Sequence, residues 1–188
     1  MGVRAVAGAQ KSQSGFTLIE ILVVIVIVAV LSTFVTLTLN FRNVSKTVND
    51  EALRLGLQMQ MASDQAIYTR QQFGVRFHPE TYEFYQLMAS EDGDATWEIV
   101  DNEQMAYRPS DEELEYQVDI EGIAIVLETL EEEREAVTEE EPIKPHVLFL
   151  SNGEIMPDFR VVVADSTAEF RQMIYSGEIE PIVVEALE

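Results

Sequence analysis

Cysteine is absent from this chain of 188 residues, and basic side chains are scarce. Without cysteine there can be neither a disulfide framework nor a thiolate-bound metal site, although an extracytoplasmic location stays open. The 12 lysines and arginines stand against 34 aspartates and glutamates, which gives a formal net charge of −22. Because so acidic a surface repels the phosphates of nucleic acids, we expect no nucleic-acid partner.

The chain also lacks the residue patterns of an enzyme or cofactor site. Its two histidines, His78 and His146, fall in different strand candidates, and we interpret each as a surface or strand-end residue. The sequence contains no nucleophile elbow, glycine-rich phosphate loop or paired metal-ligand motif. We therefore predict a protein that is not an enzyme and that needs no cofactor or metal.

Residues 16–39 contain neither glycine nor proline, and Glu20 is the one charged residue among them. As a helix at about 1.5 Å per residue, this stretch would be about 36 Å long, enough to cross a hydrocarbon core of about 30 Å. In lipid each backbone group has to be satisfied within the segment, so the stretch must be helical. We predict a transmembrane helix in which Glu20 is a candidate functional residue, with a plain anchor and a snorkelling glutamate as the alternative.

The sequence Gly-Phe-Thr-Leu-Ile-Glu at residues 15–20, directly before this apolar helix, resembles the processing site of type IV pilins and type II secretion pseudopilins. The resemblance implies that residues 1–15 are a leader, that a prepilin peptidase cuts between Gly15 and Phe16, and that Phe16 is then N-methylated. It implies that Glu20 faces the terminal amine of a neighbouring subunit. It also implies a single-pass protein of the inner membrane whose carboxyl-terminal domain lies in the periplasm.

Beyond the span, the apolar residues first follow a helical period and then alternate. Residues 40–72 predict an amphipathic continuation of the helix, whose buried stripe contains Val44, Val48, Leu55, Met59, Ala62 and Ala66, widened by Leu53, Leu57 and Ile67. Residues 73–188 predict a β-rich domain with strand candidates at 73–77, 82–87, 97–100, 104–107, 116–120, 122–130, 146–150, 159–163, 168–175 and 179–184. The turn residues Pro79-Glu80 and Asn152-Gly153 each predict a hairpin. The fold class is therefore α+β: a long amino-terminal helix followed by an antiparallel β-sandwich packed on the carboxyl-terminal half of that helix.

Residues 128–141 are an acidic block with a single basic residue, Arg134. A block of this kind is typical of a solvated loop, and we predict one here. Calcium binding is the alternative, but the block lacks the spaced aspartates and the glycine of a calcium-binding loop.

Three further segments, residues 65–75, 82–84 and 147–159, resemble the domain of H-type minor pseudopilins. The resemblance implies a minor structural subunit of a type II secretion pseudopilus, which assembles with the other major and minor pseudopilins to drive export of folded proteins across the outer membrane. The alternative is a minor pilin of a type IV pilus, acting in adhesion or DNA uptake. The acidic charge disfavours DNA capture, and the cysteine pair common in type IV pilins is missing.

Overall fold

The computed structural model describes residues 17–89, 95–109, 113–136, 143–177 and 180–187, without the side chains of residues 33–43 and 134–136. The chain divides into two compact units, Met1–Phe41 and Arg42–Glu188. Helix α1, Leu18–Thr69, contains 52 residues and corresponds to the helix predicted over residues 16–72. The next residue, Arg70, has a φ of 57°, and such a left-handed conformation ends a helix.

Among the described residues, no helix has both the length and the hydrophobicity needed to cross a membrane. The span predicted over residues 16–39 begins at Phe16, outside the described residues, and includes residues 33–39, whose side chains are not described.

In the part of the chain that the structure describes, two antiparallel sheets of five strands each follow α1. The first sheet has the strand order β3-β2-β1-β6-β7, and the second has the order β10-β9-β8-β4-β5. A short helix, α2, lies between β5 and β6 in the sequence. The element bounds are β1 Phe73–Phe77, β2 Tyr82–Ala89, β3 Ala95–Ile99, β4 Leu114–Ile120, β5 Ile123–Ala124, α2 Leu130–Ala136, β6 Val147–Phe149, β7 Ile155–Met156, β8 Phe159–Asp165, β9 Arg171–Tyr175 and β10 Val183–Ala186.

A single hydrophobic core joins the carboxyl-terminal part of α1 to residues of both sheets. The predicted helical stripe is confirmed for five of its buried members, Val48, Leu55, Met59, Ala62 and Ala66. The predicted widening of that stripe is wrong, since Leu53, Leu57 and Ile67 are exposed. Leu57, which is 71% exposed, follows the buried Leu55 by two residues, and two residues turn a helix by about 200° to its far side.

The two hairpins predicted from turn residues are confirmed. Strands β1 and β2 pair in register from Phe73 opposite Gln86 to Phe77 opposite Tyr82. At the Asn-Gly turn, the Leu150 amide donates to the carbonyl oxygen of Glu154 at 2.9 Å. Gly153 has a φ of 88° there, a conformation that glycine adopts without strain.

Two strand predictions are wrong. Residues 104–107 lie in a turn in which Met105 is buried. The long strand predicted over residues 122–130 is reduced to the two residues of β5. After Ile125, whose amide still bonds to the Val118 carbonyl oxygen at 2.9 Å, the chain leaves the second sheet toward α2, and Val126 is 93% exposed.

At Gly56, helix α1 lies close to the carboxyl-terminal segment. A Cβ atom at Gly56 would lie 2.7 Å from Cγ2 of Val184 and 3.9 Å from Cγ2 of Ile182. The first distance is shorter than any ordinary carbon–carbon contact, so a larger residue would push β10 away from the helix. Glycine is therefore required at position 56 by packing, although it weakens a helix by roughly 1 kcal/mol relative to alanine.

Candidate functional site

Glu20 lies in the first turn of α1, where Thr17 caps the helix. The Glu20 amide donates to the Thr17 carbonyl oxygen at 3.1 Å and lies 3.3 Å from the Thr17 hydroxyl oxygen. Thr-x-x-Glu is the spacing of a capping box, and a carboxylate is favoured at the positive end of the helix dipole. The local sequence thus explains both where the helix begins and why it tolerates an acid there.

The side chains around Glu20 are apolar and exposed. Within residues 17–32, Glu20 is the only ionisable side chain. A soluble monomer rarely exposes a contiguous apolar surface of this kind, so this helix needs a cover of lipid or protein. Its exposed members include Leu18, Ile19, Ile21, Leu22, Val23, Val24, Ile25, Val26, Ile27, Val28, Val30 and Leu31.

Gly15 and Phe16, the predicted residues of cleavage and N-methylation, lie outside the described residues. Cleavage and methylation there stay predictions, as does the pairing of Glu20 with a neighbouring amine.

A buried carboxylate, which sequence reasoning missed, links α1 to both sheets. Glu51 is only 5% exposed, and its Oε1 accepts hydrogen bonds from the hydroxyls of Tyr116 at 2.9 Å and Tyr82 at 3.2 Å. Its Oε2 pairs with the guanidinium of Arg54. Burial, together with the negative charge of Glu51, raises the pKa of both tyrosines, so their hydroxyls stay protonated as donors.

Two side chains of the same helix hold the loop of residues 101–109 by its backbone. The amide nitrogen of Gln58 donates to the carbonyl oxygens of Gln104 at 2.9 Å and Ala106 at 3.2 Å. Arg54 donates to the carbonyl oxygen of Arg108 at 2.8 Å. These bonds explain why residues 104–107 form a turn and not the predicted strand, because their carbonyl groups bond to helix side chains.

The acidic block predicted as a solvated loop over residues 128–141 contains helix α2, and Glu133 within it is only 5% exposed. Glu133 Oε1 lies 2.8 Å from Nε of Arg76 in β1. The prediction of a wholly solvated block is therefore wrong for Glu133, because a cation of the first sheet draws it inward. Residues 137–142 lie outside the described residues.

Both histidines lie at strand ends, as interpreted from the sequence, but the surface alternative is wrong for His78, which follows β1 directly and is 1% exposed. His146 is partly buried and its ring stacks on Phe77 with centroids 6.4 Å apart. Its Nδ1 accepts a hydrogen bond of 3.1 Å from the Phe77 amide. Burial, then the charges of Arg76 and His78, lowers the pKa of His146 to about 4, so this ring is neutral near pH 7.

Surface cavities in the described part of the chain do not gather catalytic groups. A cavity of about 610 Å³ is lined by Asp119, Glu121, Asp158 and Arg160 among others, and one of about 410 Å³ lies beside Phe73 and Met105. Within the ranges that the structure describes, no group of three or more histidines, aspartates or glutamates is placed to hold a metal ion.

Comparisons with known proteins agree with the amino-terminal motif and with the fold. A family described as the prokaryotic N-terminal methylation motif matches residues 10–36. Type II secretion system protein H of Pseudomonas aeruginosa is 29% identical over 168 residues, which cover 89% of this chain and 92% of that protein. The protein of the same name from Aeromonas hydrophila is 25% identical, over 77% of this chain and 78% of its own length.

Among solved structures, the minor pseudopilin EpsH from the type 2 secretion system of Vibrio cholerae has the same fold. The TM-score is 0.56 at 19% identity, over 74% of this chain and 95% of that chain. The methylation motif, the likeness to two curated relatives over most of their length and the shared α+β fold together make the chain similar to the H-type minor pseudopilins.

Proposed function

We propose that the protein is a minor structural subunit of a type II secretion pseudopilus, which assembles with other pseudopilins to support export of folded proteins across the outer membrane. The observation that carries the proposal is the likeness to type II secretion system protein H over 89% of the chain, including the amino-terminal motif. Its role is structural and not catalytic.

The proposed route into the filament begins with processing. Prepilin peptidase removes residues 1–15 and methylates Phe16, and residues 16–39 hold the protein in the inner membrane with the β-rich domain in the periplasm. The long apolar run and the exposed apolar side chains of residues 18–31 support this anchor. The two sheets pack as a sandwich against the carboxyl-terminal half of α1, which the shared core supports.

Glu20 then selects the neighbouring subunit. A carboxylate in hydrocarbon costs on the order of 3 kcal/mol, and a cation nearby offsets that cost because the effective dielectric is low. The amino group of Phe16 in an adjacent subunit supplies such a cation after cleavage. An apolar residue in place of Glu20 would insert into the membrane but would lose this pairing.

A gene deletion tests the function. Loss of the gene should abolish or sharply reduce the exported proteins in the culture medium, and the parent gene should restore them. Surface pili and pilus-dependent motility should be unchanged in the same strain. A strain that secretes normally but has lost pilus functions would overturn the proposal in favour of a type IV minor pilin.

A further inference from the structure

A buried charged cluster fastens α2 to the hairpin of β1 and β2. It consists of Arg76, His78, Glu83 and Glu133, and only Glu133 comes from α2. Glu133 Oε1 lies 2.8 Å from Nε of Arg76, and Glu133 Oε2 lies 3.4 Å from Nε2 of His78. Glu83 Oε2 lies 3.8 Å from the same histidine nitrogen. One helix of seven residues is thus held by charges on a neighbouring hairpin.

The hydrogen-bond geometry specifies the protons on His78. Its Nδ1 lies 2.9 Å from the carbonyl oxygen of Glu128, and a carbonyl can only accept, so Nδ1 carries a hydrogen. A neutral ring would then present the lone pair of Nε2 to the carboxylates of Glu83 and Glu133. A doubly protonated ring presents an N–H there, which is attracted to both. The geometry therefore fits the imidazolium form.

The charges that face this ring come from each element around it. Glu83 of β2 also accepts a hydrogen bond of 2.7 Å from Tyr85, and burial raises the pKa of that tyrosine so that it stays neutral. Arg76 of β1 contacts Glu133 and, at 3.3 Å, Glu128. His146 is neutral at pH 7 because its pKa is lowered to about 4. Without the proton of His78, the cation that contacts Glu128 and Glu133 among the described side chains would be Arg76.

We propose that this cluster is a proton-operated latch, in which protonated His78 holds α2 against the β1–β2 hairpin and loss of its proton releases α2. When His78 becomes neutral, Glu133 keeps Arg76 at 2.8 Å but loses its second cation, and a buried carboxylate with fewer partners is costly, so Glu133 is expected to leave the cluster for water more often. Release would free the acidic stretch that begins at Glu128. The latch goes beyond the filament role and does not depend on it.

The direction of the pH dependence follows from the folded state. Burial on its own would lower the pKa of His78, but the hydrogen bond to Glu83, the bond to the Glu128 carbonyl and the charges of Glu133 and Glu83 outweigh it, so that the pKa is raised. A folded pKa above the unfolded value means that the contribution of His78 is complete below about pH 6.5 and is lost as the pH rises through the folded pKa. The latch is therefore closed in acid and open in alkali.

Hydrogen exchange of the full-length protein in detergent micelles tests the latch from about pH 6 to about pH 9, with amide rates corrected for their intrinsic pH dependence. Protection of Leu130–Ala136 should fall by up to about tenfold for each unit of pH between about pH 6.5 and the raised pKa of His78, and should change no further above that pKa. Protection of the α1 residues Val48–Ala66 should stay constant, because the core does not contain the latch.

Two variants separate the histidine from general charge effects. His78→Gln keeps a neutral N–H donor and cannot titrate, so protection of α2 should become independent of pH. Glu131→Gln is the control: it removes one negative charge from an exposed position of α2 and leaves the buried Glu133 in place. Its protection should keep the pH dependence of the parent. Survival of that dependence in His78→Gln would overturn the proposal.

The titration of His78 can also be measured in the parent protein, without a variant at position 78. Its two imidazoles can be followed by NMR and told apart with His146→Asn, and the signal of His78 should titrate above about pH 6.5. A His78 signal that titrates at or below that value, or an α2 whose protection does not change over the range, would overturn the latch. The NMR titration of the parent protein therefore tests the latch even if His78→Gln does not fold.

Discussion

Tyr116, in the second sheet, donates a hydrogen bond of 2.9 Å to Oε1 of Glu51, a buried carboxylate of α1. The same oxygen accepts from Tyr82 of the first sheet at 3.2 Å. One carboxylate thus joins the helix to both sheets in the interior of the domain. Since a buried charge is stable only with its partners in place, this contact fixes which face of α1 can meet the sheets.

Removal of the Glu51 carboxylate should therefore destabilise the domain strongly. Glu51→Ala removes the acceptor of the Tyr116 hydroxyl and the anion beside Arg54, while Tyr82 keeps Gln58 Oε1 at 2.6 Å and Arg54 keeps the Arg108 carbonyl oxygen at 2.8 Å, and it should lower the free energy of unfolding by about 2 kcal/mol. Tyr116→Phe removes one donor and should cost about 1 kcal/mol. Urea unfolding in detergent measures both. Asp50→Ala, at the exposed neighbouring position, should change stability by less than about 0.5 kcal/mol. Equal losses for Glu51→Ala and Asp50→Ala would contradict this account.

His146 should make the protein less stable in mild acid. The unfolded chain takes up a proton at this residue near pH 6.5, whereas the folded chain does so only at about pH 4. The unfolded state binds more protons between these values, so stability falls as the pH falls through that window. His146→Asn keeps an acceptor for the Phe77 amide and should reduce this slope, measured by urea unfolding at several pH values. Identical slopes for parent and variant would show that His146 does not contribute.

The amino-terminal motif predicts a processed chain. The mature protein should begin with methylated Phe16, because Gly15 lies directly before the apolar helix. Gly15→Ala should leave the precursor uncut while the protein still enters the membrane. Intact-mass measurement of membrane-extracted protein distinguishes the two forms. A chain that keeps residues 1–15 in cells with active prepilin peptidase would refute the assignment.

Glu20 should matter for assembly and not for insertion. Glu20→Gln and Glu20→Leu should both enter the membrane and be cleaved, since neither adds a charge to the apolar stretch. Both should weaken co-purification with the other pseudopilins and reduce secretion, because the neighbouring amine has lost its partner. Ser32→Ala, in the same exposed helix, is a matched control that should behave like the parent. Normal secretion by both Glu20 variants would exclude the pairing.

The unit Arg42–Glu188 should fold without the apolar segment, because the whole hydrophobic core lies within it. A fragment with these bounds should be soluble and monomeric in gel filtration. Its circular dichroism should show strand together with the helix of residues 42–69, and urea should unfold it cooperatively. An aggregated fragment, or one whose spectrum is mostly helical, would contradict the assigned fold.

The sequence predicted the helix, both hairpins and the α+β class because each depends on local signals. The alternation of Phe73, Val75 and Phe77 and the Asn152-Gly153 turn specify strands within a few residues. The buried partners could not be predicted in the same way. Glu133 is one acid among many in its block, and only the tertiary contact with Arg76 and His78 distinguishes it.

The same limit applies to the helix. Helical spacing places Glu51 on the face of Val48 and Leu55 and Asp50 on the far side, but an acid within an apolar stripe gives no sign of the partners that would let it stay buried. The hydroxyls of Tyr82 and Tyr116, which are distant in sequence, make the burial of Glu51 possible. For the proposed assembly site the situation is reversed, since the motif at residues 15–20 predicts it from the sequence alone and no contact of the described residues tests it.

The contact between Gly56 and Val184 means that the surface of α1 at Gly56 is covered only when β10 is in place. Residues this far apart in sequence meet only after nearly the whole chain is present, and long-range contacts of this kind form late. A polypeptide truncated before Ile182 would leave the α1 surface at Gly56 uncovered. A subunit without β10 would then carry an exposed apolar surface that proteases can recognise. Such subunits would be degraded before they could assemble.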